Sequence, residues 1–300
     1  MVAALESLLD GEGAVTALVA MGEKAVAPLS RFLLDGRPGV VFQPKMWAVQ
    51  ALAALGARHV LMEYLDSTPP DDPQLRYAEE AVRNTALREF ARWPDPVTQA
   101  FLLEMSRRVM LPGLVEALGR LRLAEAIPFL DRALEDDVCR PPAETALAFL
   151  GPPARAALIL SAANRLPRFE PETPSSLRRR QAAIRILSEI GIEPEDWPAL
   201  EPLLRDEDPE IAVRICSLAV KTNIVEAQDQ GIPRLIELSG VTPWYLNEDV
   251  VQCLLAWRGR AWPAMEREVE QRLRAPKVYQ VQDQTLRLLR RVMRLARDAQ

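Results

Sequence analysis

The chain is short of the residues from which many catalytic and metal sites are built. Histidine occurs once, as His59, which excludes any metal site or proton relay that needs two imidazoles. The cysteines, at positions 139, 216 and 253, lie far apart and form neither a disulfide framework nor a C-x-x-C metal knuckle. The sequence contains no Gly-x-Ser-x-Gly elbow and no complete glycine-rich phosphate loop. We therefore expect no catalytic, metal-binding or cofactor-binding residues.

Long apolar runs and lysine are scarce as well. No stretch approaches the roughly 20 consecutive apolar residues that a membrane span needs, and the first residues carry no basic region before an apolar run. These absences predict a cytoplasmic protein without a transmembrane segment. The net charge of −5 argues against a dedicated nucleic-acid binder. Only four of the 37 basic residues are lysine, and arginine favours carboxylates, phosphates and aromatic faces.

What the chain does contain is a repeated pair of helical segments. In the clearest copy, residues 179–208, an alanine-rich amphipathic segment ends at a glycine and a second segment begins at a proline. Partial copies of the first segment occupy residues 47–56, 78–93, 114–121, 143–151 and 250–259. Partial copies of the second occupy residues 25–35, 125–136, 231–239 and 261–273. A spacing of roughly 30 to 40 residues is typical of solenoids built from helical hairpins.

Proline and glycine mark the predicted ends of these segments. The second segment carries a proline at positions 28, 128, 198, 233 and 263, where we expect the first turn of a helix. Glycines at positions 22, 56, 151 and 191 follow first segments, as left-handed C-terminal caps do. Alternating β-branched stretches are almost absent, so the sequence predicts an all-α protein.

These motifs resemble HEAT repeats of the short form named for the phycobilisome bilin lyases. The matching residues in the clearest copy are Arg180, Ala182, Ala183, Leu187, Ile190, Gly191, Pro198, Ala199, Leu200 and Asp206 to Pro209. Arg122 departs from the pattern, since it stands where the repeat has glycine. The resemblance implies a right-handed α-solenoid, a superhelix of about eight helical hairpins followed by a terminal helix, which forms a single domain over residues 1–300.

The longer connections are expected between the second helix of one hairpin and the first helix of the next. They fall at residues 35–45, 66–74, 166–176 and 240–247, and in a solenoid all four would lie along one edge. The longest, 166–176, has three prolines and several acids and predicts an extended, solvated segment. Such an edge is a frequent binding surface, but for this segment a tolerated surface insertion is the favoured interpretation.

Some proteins with HEAT-like repeats are enzymes, and this sequence differs from two of them. The iron-dependent deoxyhypusine hydroxylases carry several His-Glu metal motifs, which a single histidine excludes. HEAT-like DNA glycosylases use a strongly basic concave face, which the net charge does not favour. The bilin-lyase repeat also occurs in many non-enzymes, so the resemblance transfers no activity.

In this family the second helices line the concave surface, and residues beside the Pro-x-Leu motif are the natural contacts for a partner. They alternate in sign, which predicts either a patterned polar groove that reads a protein surface or a face that is merely solvated. These residues are Arg31, Asp131, Arg132, Arg234, Glu237, Glu266 and Arg267.

The last predicted helix, residues 281–297, is amphipathic and basic. At about 100° per residue, five arginines form one stripe and leucine, valine and methionine form the other face. The stripe consists of Arg287, Arg290, Arg291, Arg294 and Arg297. A solenoid needs a terminal cap with a polar outer side, and an anionic partner would also fit this stripe, so both interpretations stay open.

Trp244 and Tyr245, which follow Pro243, are the aromatic pair that we expect to be exposed, and such residues are favoured at protein interfaces. Cys216 and Cys253 occupy alanine-like positions and should be buried, whereas Cys139 precedes Arg140-Pro141 and is the thiol expected to be exposed.

The sequence thus predicts a non-catalytic scaffold or adaptor that binds a protein partner through the concave face and the loop edge. The alternative is an enzyme or ligand-handling protein of bilin-lyase or DNA-glycosylase type. The sequence indicates neither a small-molecule ligand nor an oligomeric state.

Overall fold

The computed structural model describes residue 5 and residues 11–36, 41–167 and 171–298. Over these residues the chain is built from α-helices and short 3-10 helices, without a β-strand, which confirms the predicted all-α class. No single helix in the described ranges is long and apolar enough to cross a membrane, and helices 140–150 and 152–163 reach that length and composition only as a bent pair.

The chain forms two compact units, Met1–Leu150 and Gly151–Gln300. The helices of the first unit are α1 Gly11–Ala20, α2 Val26–Leu34, α3 Gln43–Ala54, α4 Arg58–Asp66, α5 Pro73–Glu89, α6 Pro96–Met105, α7 Pro112–Arg120, α8 Ile127–Ala133 and α9 Arg140–Leu150. Those of the second unit are α10 Arg155–Ala163, α11 Pro174–Ile190, α12 Trp197–Leu200, α13 Pro209–Lys221, α14 Gln228–Leu238, α15 Asn247–Ala256, α16 Arg258–Leu273, α17 Lys277–Gln282 and α18 Gln284–Asp298. The prediction of one continuous domain stays a prediction.

Within each unit, alternate helices pack side by side. In the first unit, α1 packs on α3, α3 on α5, α5 on α7 and α7 on α9. In the second, α11 packs on α13, α13 on α15 and α15 on α18, while α10 packs on α12 and α14 on α16. Gly119 permits the close approach of α7 and α9, because a Cβ there would lie 2.4 Å from that of Ala146. The buried faces are made largely of alanine, leucine, isoleucine and valine.

Several helices start at a capping side chain followed by proline. Asp95 accepts hydrogen bonds from the Val97 and Thr98 amides at 3.0 and 3.1 Å, and Pro96 begins α6. The cap satisfies amides that have no partner inside the helix, and proline has no amide to satisfy. The same arrangement begins α5 at Asp72-Pro73, α11 at Thr173-Pro174 and α13 at Asp208-Pro209.

All four glycines predicted to end helices have positive φ, which confirms their role. The φ values are 63° at Gly22, 74° at Gly56, 71° at Gly151 and 82° at Gly191. Arg122, which replaces the repeat's glycine, adopts φ of 52°, so the backbone keeps the turn although the residue is not glycine.

The proline prediction holds at some second helices and is wrong at two. Pro128 and Pro198 lie in the first turn of α8 and α12. Pro233 and Pro263 lie inside α14 and α16, since these helices begin five residues before the proline. At these positions proline removes one hydrogen bond from the helix interior, a cost that the packing of the helix offsets.

The terminal helix is two helices rather than the one predicted over residues 281–297. Asp283 separates α17 from α18, has extended backbone geometry and accepts a hydrogen bond from the Leu286 amide at 2.9 Å. Its side chain therefore caps α18. Aspartate is favoured at the start of a helix and disfavoured in its interior, which explains why the helix breaks at this residue.

Candidate functional site

A polar groove lies beside α14 in the second unit and brings together two of the predicted concave residues. We call it the α14 groove, and it is lined by Arg205, Glu207, Asp229, Gln230, Pro233, Arg234 and Glu237, with a volume of about 570 Å³. The Arg234 guanidinium donates to the Asp206 carbonyl and pairs with Glu237, each at 2.8 Å. Arg234 is thus held in place, whereas Glu237 and Arg205 face solvent. The groove presents fixed charges of both signs.

The other predicted concave residues lie elsewhere. Arg31 is exposed on α2, and α8 carries exposed Arg132 next to half-buried Asp131. These three belong to the first unit. Arg267 and Glu266 are exposed on α16 in the second unit, where the Arg267 Nε donates to the Pro263 carbonyl at 3.2 Å.

A second groove in this unit forms around the exposed tryptophan, and we call it the tryptophan groove. It is lined by Trp244, Asn247, Gln284, Arg287, Leu288 and Arg291 and has a volume of about 410 Å³. Trp244 is 84% exposed and Tyr245 is 49% exposed, as predicted for this pair. Gln284 donates to the Thr242 carbonyl at 3.1 Å and to the Asn247 side chain at 3.3 Å, which fixes the groove floor.

Tyr245 connects the tryptophan groove to a charged cluster. Its ring packs edge-on against Trp244 with the centroids 6.1 Å apart, and its hydroxyl donates to the Glu210 carboxylate at 3.2 Å. Burial and the nearby Glu210 charge raise the pKa of the Tyr245 hydroxyl. Glu210 also accepts a hydrogen bond from Arg214 at 2.9 Å. Tyr245 is therefore held as a neutral hydrogen-bond donor beside the exposed indole.

The arginine stripe of α18 points outward and its leucine face points inward, as the amphipathic pattern predicts. Leu286, Leu288, Leu289 and Val292 are buried where α18 packs on α14, α15 and α16. Arg287, Arg290, Arg291, Arg294 and Arg297 are exposed. Arg291 pairs with Glu248 at 2.7 Å, and the Arg297 guanidinium lies 5.7 Å from the Trp262 ring centre.

A third groove, which sequence reasoning missed, adjoins the tryptophan groove. We call it the tyrosine groove; it encloses about 580 Å³ and is lined by Glu237, Gly240, Val241, Arg272, Tyr279, Gln282, Asp283, Gln284, Thr285 and Arg287. Gln284 and Arg287 line both grooves, so the two form one surface. Val241 is 70% exposed and Tyr279 is 66% exposed. The sequence held a local signal for this exposed surface. Val278, Tyr279 and Val281 are apolar residues that belong to no strong amphipathic pattern, so no helix face was predicted to bury them.

An apolar groove in the first unit was also missed. Gly119, Pro141, Pro142, Ala146 and Phe149 line it together with Glu116, Arg120 and Thr145, and its volume is about 480 Å³. Phe149 is half exposed, and the Arg122 guanidinium lies 3.9 Å from its ring centre. The positive φ of Arg122 accompanies this cation–π contact.

Carboxylates buried in the second unit are bound to arginine. Arg180 is fully buried; its Nε donates to the Ala162 carbonyl at 2.9 Å, and its other nitrogens bind Glu172 at 2.8 Å and Asp206. Glu172 also accepts from the Ser176 hydroxyl at 2.8 Å. Glu172 is an exception to the predicted solvation of segment 166–176, because its carboxylate neutralises a buried arginine, whereas Pro167, Pro171 and Thr173 are exposed. Residues 168–170 lie outside the described residues.

The thiols are not reactive groups in this fold. Cys216 and Cys253 are buried as predicted, but the prediction of an exposed Cys139 is wrong, since it is 1% exposed. Burial and the Asp136 charge raise the pKa of the Cys139 thiol to about 12. The prediction failed because Cys139 immediately precedes α9, and its side chain is buried in the core at the start of that helix. The described residues contain no group of three His, Cys, Asp or Glu side chains that could hold a metal ion.

The fold and these surfaces describe an all-helical protein with grooves bordered by arginine and aromatic side chains. No family model and no curated protein matches the chain. Among solved structures it is similar to the crystal structure of an engineered protein from the Northeast Structural Genomics Consortium, with 17% identity and a TM-score of 0.33. The match covers 99% of this chain and 98% of that chain, and at this TM-score it carries no argument about fold or function.

Proposed function

We propose that the chain is a HEAT-like α-solenoid that acts as a non-catalytic scaffold and binds a protein partner in the cytoplasm. Support for the solenoid comes from the side-by-side packing of alternate helices within each unit. Further support comes from the positive-φ glycines and from the Asp-Pro caps of α5 and α13, which recur at corresponding points of several hairpins. Repeats of this kind are expected to present their second helices on one surface, where a partner binds.

The observation that carries the function is the α14 groove. It collects two arginines and three carboxylates along the second helix of a hairpin, in a volume of about 570 Å³. Mixed charges held at fixed positions favour recognition of a complementary protein surface, because a polyanion would be repelled by the carboxylates. Each of its three carboxylates is paired with an arginine, so the groove holds no unpaired carboxylate to act as a nucleophile or a base. Binding is thus the function that its chemistry supports best.

The buried carboxylates of the second unit support this proposal rather than an enzymatic one. A general acid or base must be free to exchange a proton with a substrate. Asp206 and Glu172 are instead both bound by Arg180, which is fully buried. Their role is to complete the packing of α11, so they supply no acid–base pair.

The test is partner capture from a lysate of the source organism with the wild-type chain and with a groove variant. The variant combines Arg205→Glu with Asp229→Arg, two exposed positions that line only this groove; it keeps the net charge and leaves the Arg234 contact to the Asp206 carbonyl in place. A matched control combines Arg274→Glu with Glu226→Arg, two exposed positions outside the groove. We expect one stoichiometric protein with the wild type and the control, and its loss with the groove variant.

Mass spectrometry and the ultraviolet absorption of the eluate distinguish the alternatives. Capture that is equal for all three chains would contradict a role for the α14 groove. Elution of nucleic acid or a chromophore without a protein would contradict the scaffold and favour a glycosylase-type or lyase-type function.

A further inference from the structure

We infer that the C-terminal surface of the second unit binds an acidic peptide segment that carries an aromatic or large aliphatic anchor. The inference rests on the proposed scaffold function but concerns a surface that adjoins the α14 groove, with Glu237 lining both. The surface consists of the tryptophan groove, the adjoining tyrosine groove and the arginine stripe of α18, and its partner is another protein.

The first argument is uncompensated positive charge. Arg287, Arg290 and Arg294 are exposed, and none of them pairs with a carboxylate among the described residues. On a helix that rises about 1.5 Å per residue, the three span about 10 Å. A ligand that satisfies them needs several carboxylates over that length, which acidic side chains of a peptide segment provide. The overall charge of −5 makes this basic surface distinct from the rest of the chain.

The second argument is the position of the exposed aromatic side chains. Arg287 lines both grooves, with Trp244 on one side of it and Tyr279 on the other. Trp244 is 84% exposed and Tyr279 is 66% exposed, so a large apolar area lies open next to unpaired positive charge. Tryptophan, tyrosine and arginine carry much of the energy at protein interfaces. A segment with both acids and an apolar anchor matches this pairing.

The structure favours a peptide over a membrane or a nucleic acid. An amphipathic helix binds a bilayer through its apolar face, but Leu286, Leu289 and Val292 of α18 are buried inside the protein. Exposed Glu237 lines the tyrosine groove and exposed Glu248 pairs with Arg291, so carboxylates interrupt the positive charge of the surface. A short segment with a few carboxylates matches the three unpaired arginines better than a long polyanion does.

The test uses a fluorescein-labelled peptide of about 12 residues in which glutamates flank a central phenylalanine and leucine, so that acids and anchors can contact the same surface. Its partner in the experiment is the full chain at low salt, and binding is followed by fluorescence anisotropy. We expect saturable binding that weakens about tenfold or more when every glutamate is replaced by glutamine, because exposed charges supply much of the attraction.

Two variants locate the binding surface. Arg287→Glu with Arg290→Glu and Trp244→Ala should each weaken peptide binding about tenfold, while thermal melts match the wild type because these side chains are exposed. Arg258→Glu with Arg274→Glu is the control, since it makes the same charge change at arginines outside both grooves. Unaltered binding by the two surface variants would overturn the inference.

Competition decides between ligand classes. Equal or stronger displacement of the peptide by phosphatidylserine vesicles or by single-stranded DNA would overturn the inference in favour of a general anion surface. Absence of peptide binding would also overturn it.

The two proposals fail separately. Loss of the captured protein with the α14 groove variant, together with no peptide binding, would leave the scaffold proposal standing and remove this one.

Discussion

Gly191 ends α11 with a backbone conformation that other residues avoid. Its φ of 82° and ψ of 165° fall in a region used almost only by glycine. Gly259, near the start of α16, has ordinary helical surroundings, and a Cβ there would meet nothing within 4 Å. The same substitution should therefore have opposite effects at the two positions.

We expect Gly191→Ala to lower the free energy of unfolding by about 1–3 kcal/mol, the cost of strain in that region. Gly259→Ala should raise it by up to about 1 kcal/mol, because alanine loses less conformational entropy in a helix. Urea denaturation followed by circular dichroism measures both. A destabilisation at Gly259 as large as that at Gly191 would show that the backbone geometry is not the cause.

The three thiols should be inert in the folded protein. Thiol reagents attack the thiolate, and burial raises the pKa of Cys139 to about 12 and that of Cys253 to about 11, while the pKa of Cys216 lies well above its usual value. We expect a disulfide reagent at about pH 8 to label none of them within minutes and all three once guanidinium unfolds the chain. Rapid labelling of Cys139 in the native state would contradict its buried position.

At the scale of the element, α18 is an amphipathic helix whose two faces have separable roles. Leu289 is fully buried against its neighbours and Arg290 is exposed. We expect Leu289→Ala to destabilise the second unit by about 2–5 kcal/mol, through lost burial and a cavity. Arg290→Ala should stay within about 0.5 kcal/mol, as surface changes do. Thermal melts of the two variants test this, and equal effects would argue against a helix that docks by its leucine face.

Sequence patterns predicted the helices well where the signal is local. Glycine with positive φ acts within a few residues, so the helix stop at Gly191 could be predicted, and the Asp-Pro starts of α6 and α13 are equally local signals. The break at Asp283 was missed because the leucine and arginine periodicity that predicted the helix begins only at Leu286, beyond the break. Its cause is a single side chain that caps α18.

The candidate site was predictable only in part, for a related reason. Arg234, Glu237 and Trp244 follow from repeat position or exposure, whereas Tyr279 joins the surface through tertiary packing. The burial of Cys139 and Glu172 likewise depends on neighbours distant in sequence. Spacing along one helix carries no information about such contacts.

At the scale of the whole molecule, titrating groups should make stability depend on pH at both extremes. The amide of Thr98 lowers the pKa of Asp95 below 3.8, and hydrogen bonds from Arg107 and Arg108 lower that of Glu104 below 4.5. A carboxyl with a lowered folded pKa contributes stability above its unfolded pKa and loses it as the pH falls through the folded value. The pKa values of the thiols shift in the opposite direction, upward. Because their pKa is raised from 9.0, stability is full below that value and declines as the pH rises above it.

The urea midpoint should accordingly be flat between about pH 5 and pH 9 and fall on either side. The Asp95→Asn variant should show a shallower acid limb, and the Cys139→Ala variant a shallower alkaline limb. Midpoints measured at one-unit intervals check both, and an alkaline limb unchanged in Cys139→Ala would assign that loss to other groups.

Two buried arginines act across the boundary between one hairpin and the next. Arg83 of α5 donates to the Leu65 carbonyl at 2.9 Å, at the end of α4, and Arg180 of α11 donates to the Ala162 carbonyl near the end of α10. Each fills acceptors that a helix end leaves open. These contacts therefore join the second helix of one hairpin to the first helix of the next, whereas the unit that the sequence repeats is the hairpin itself. A protein engineer who shortens or lengthens this chain should cut inside a hairpin, because a cut between α4 and α5 or between α10 and α11 separates the helix end from the arginine that closes it.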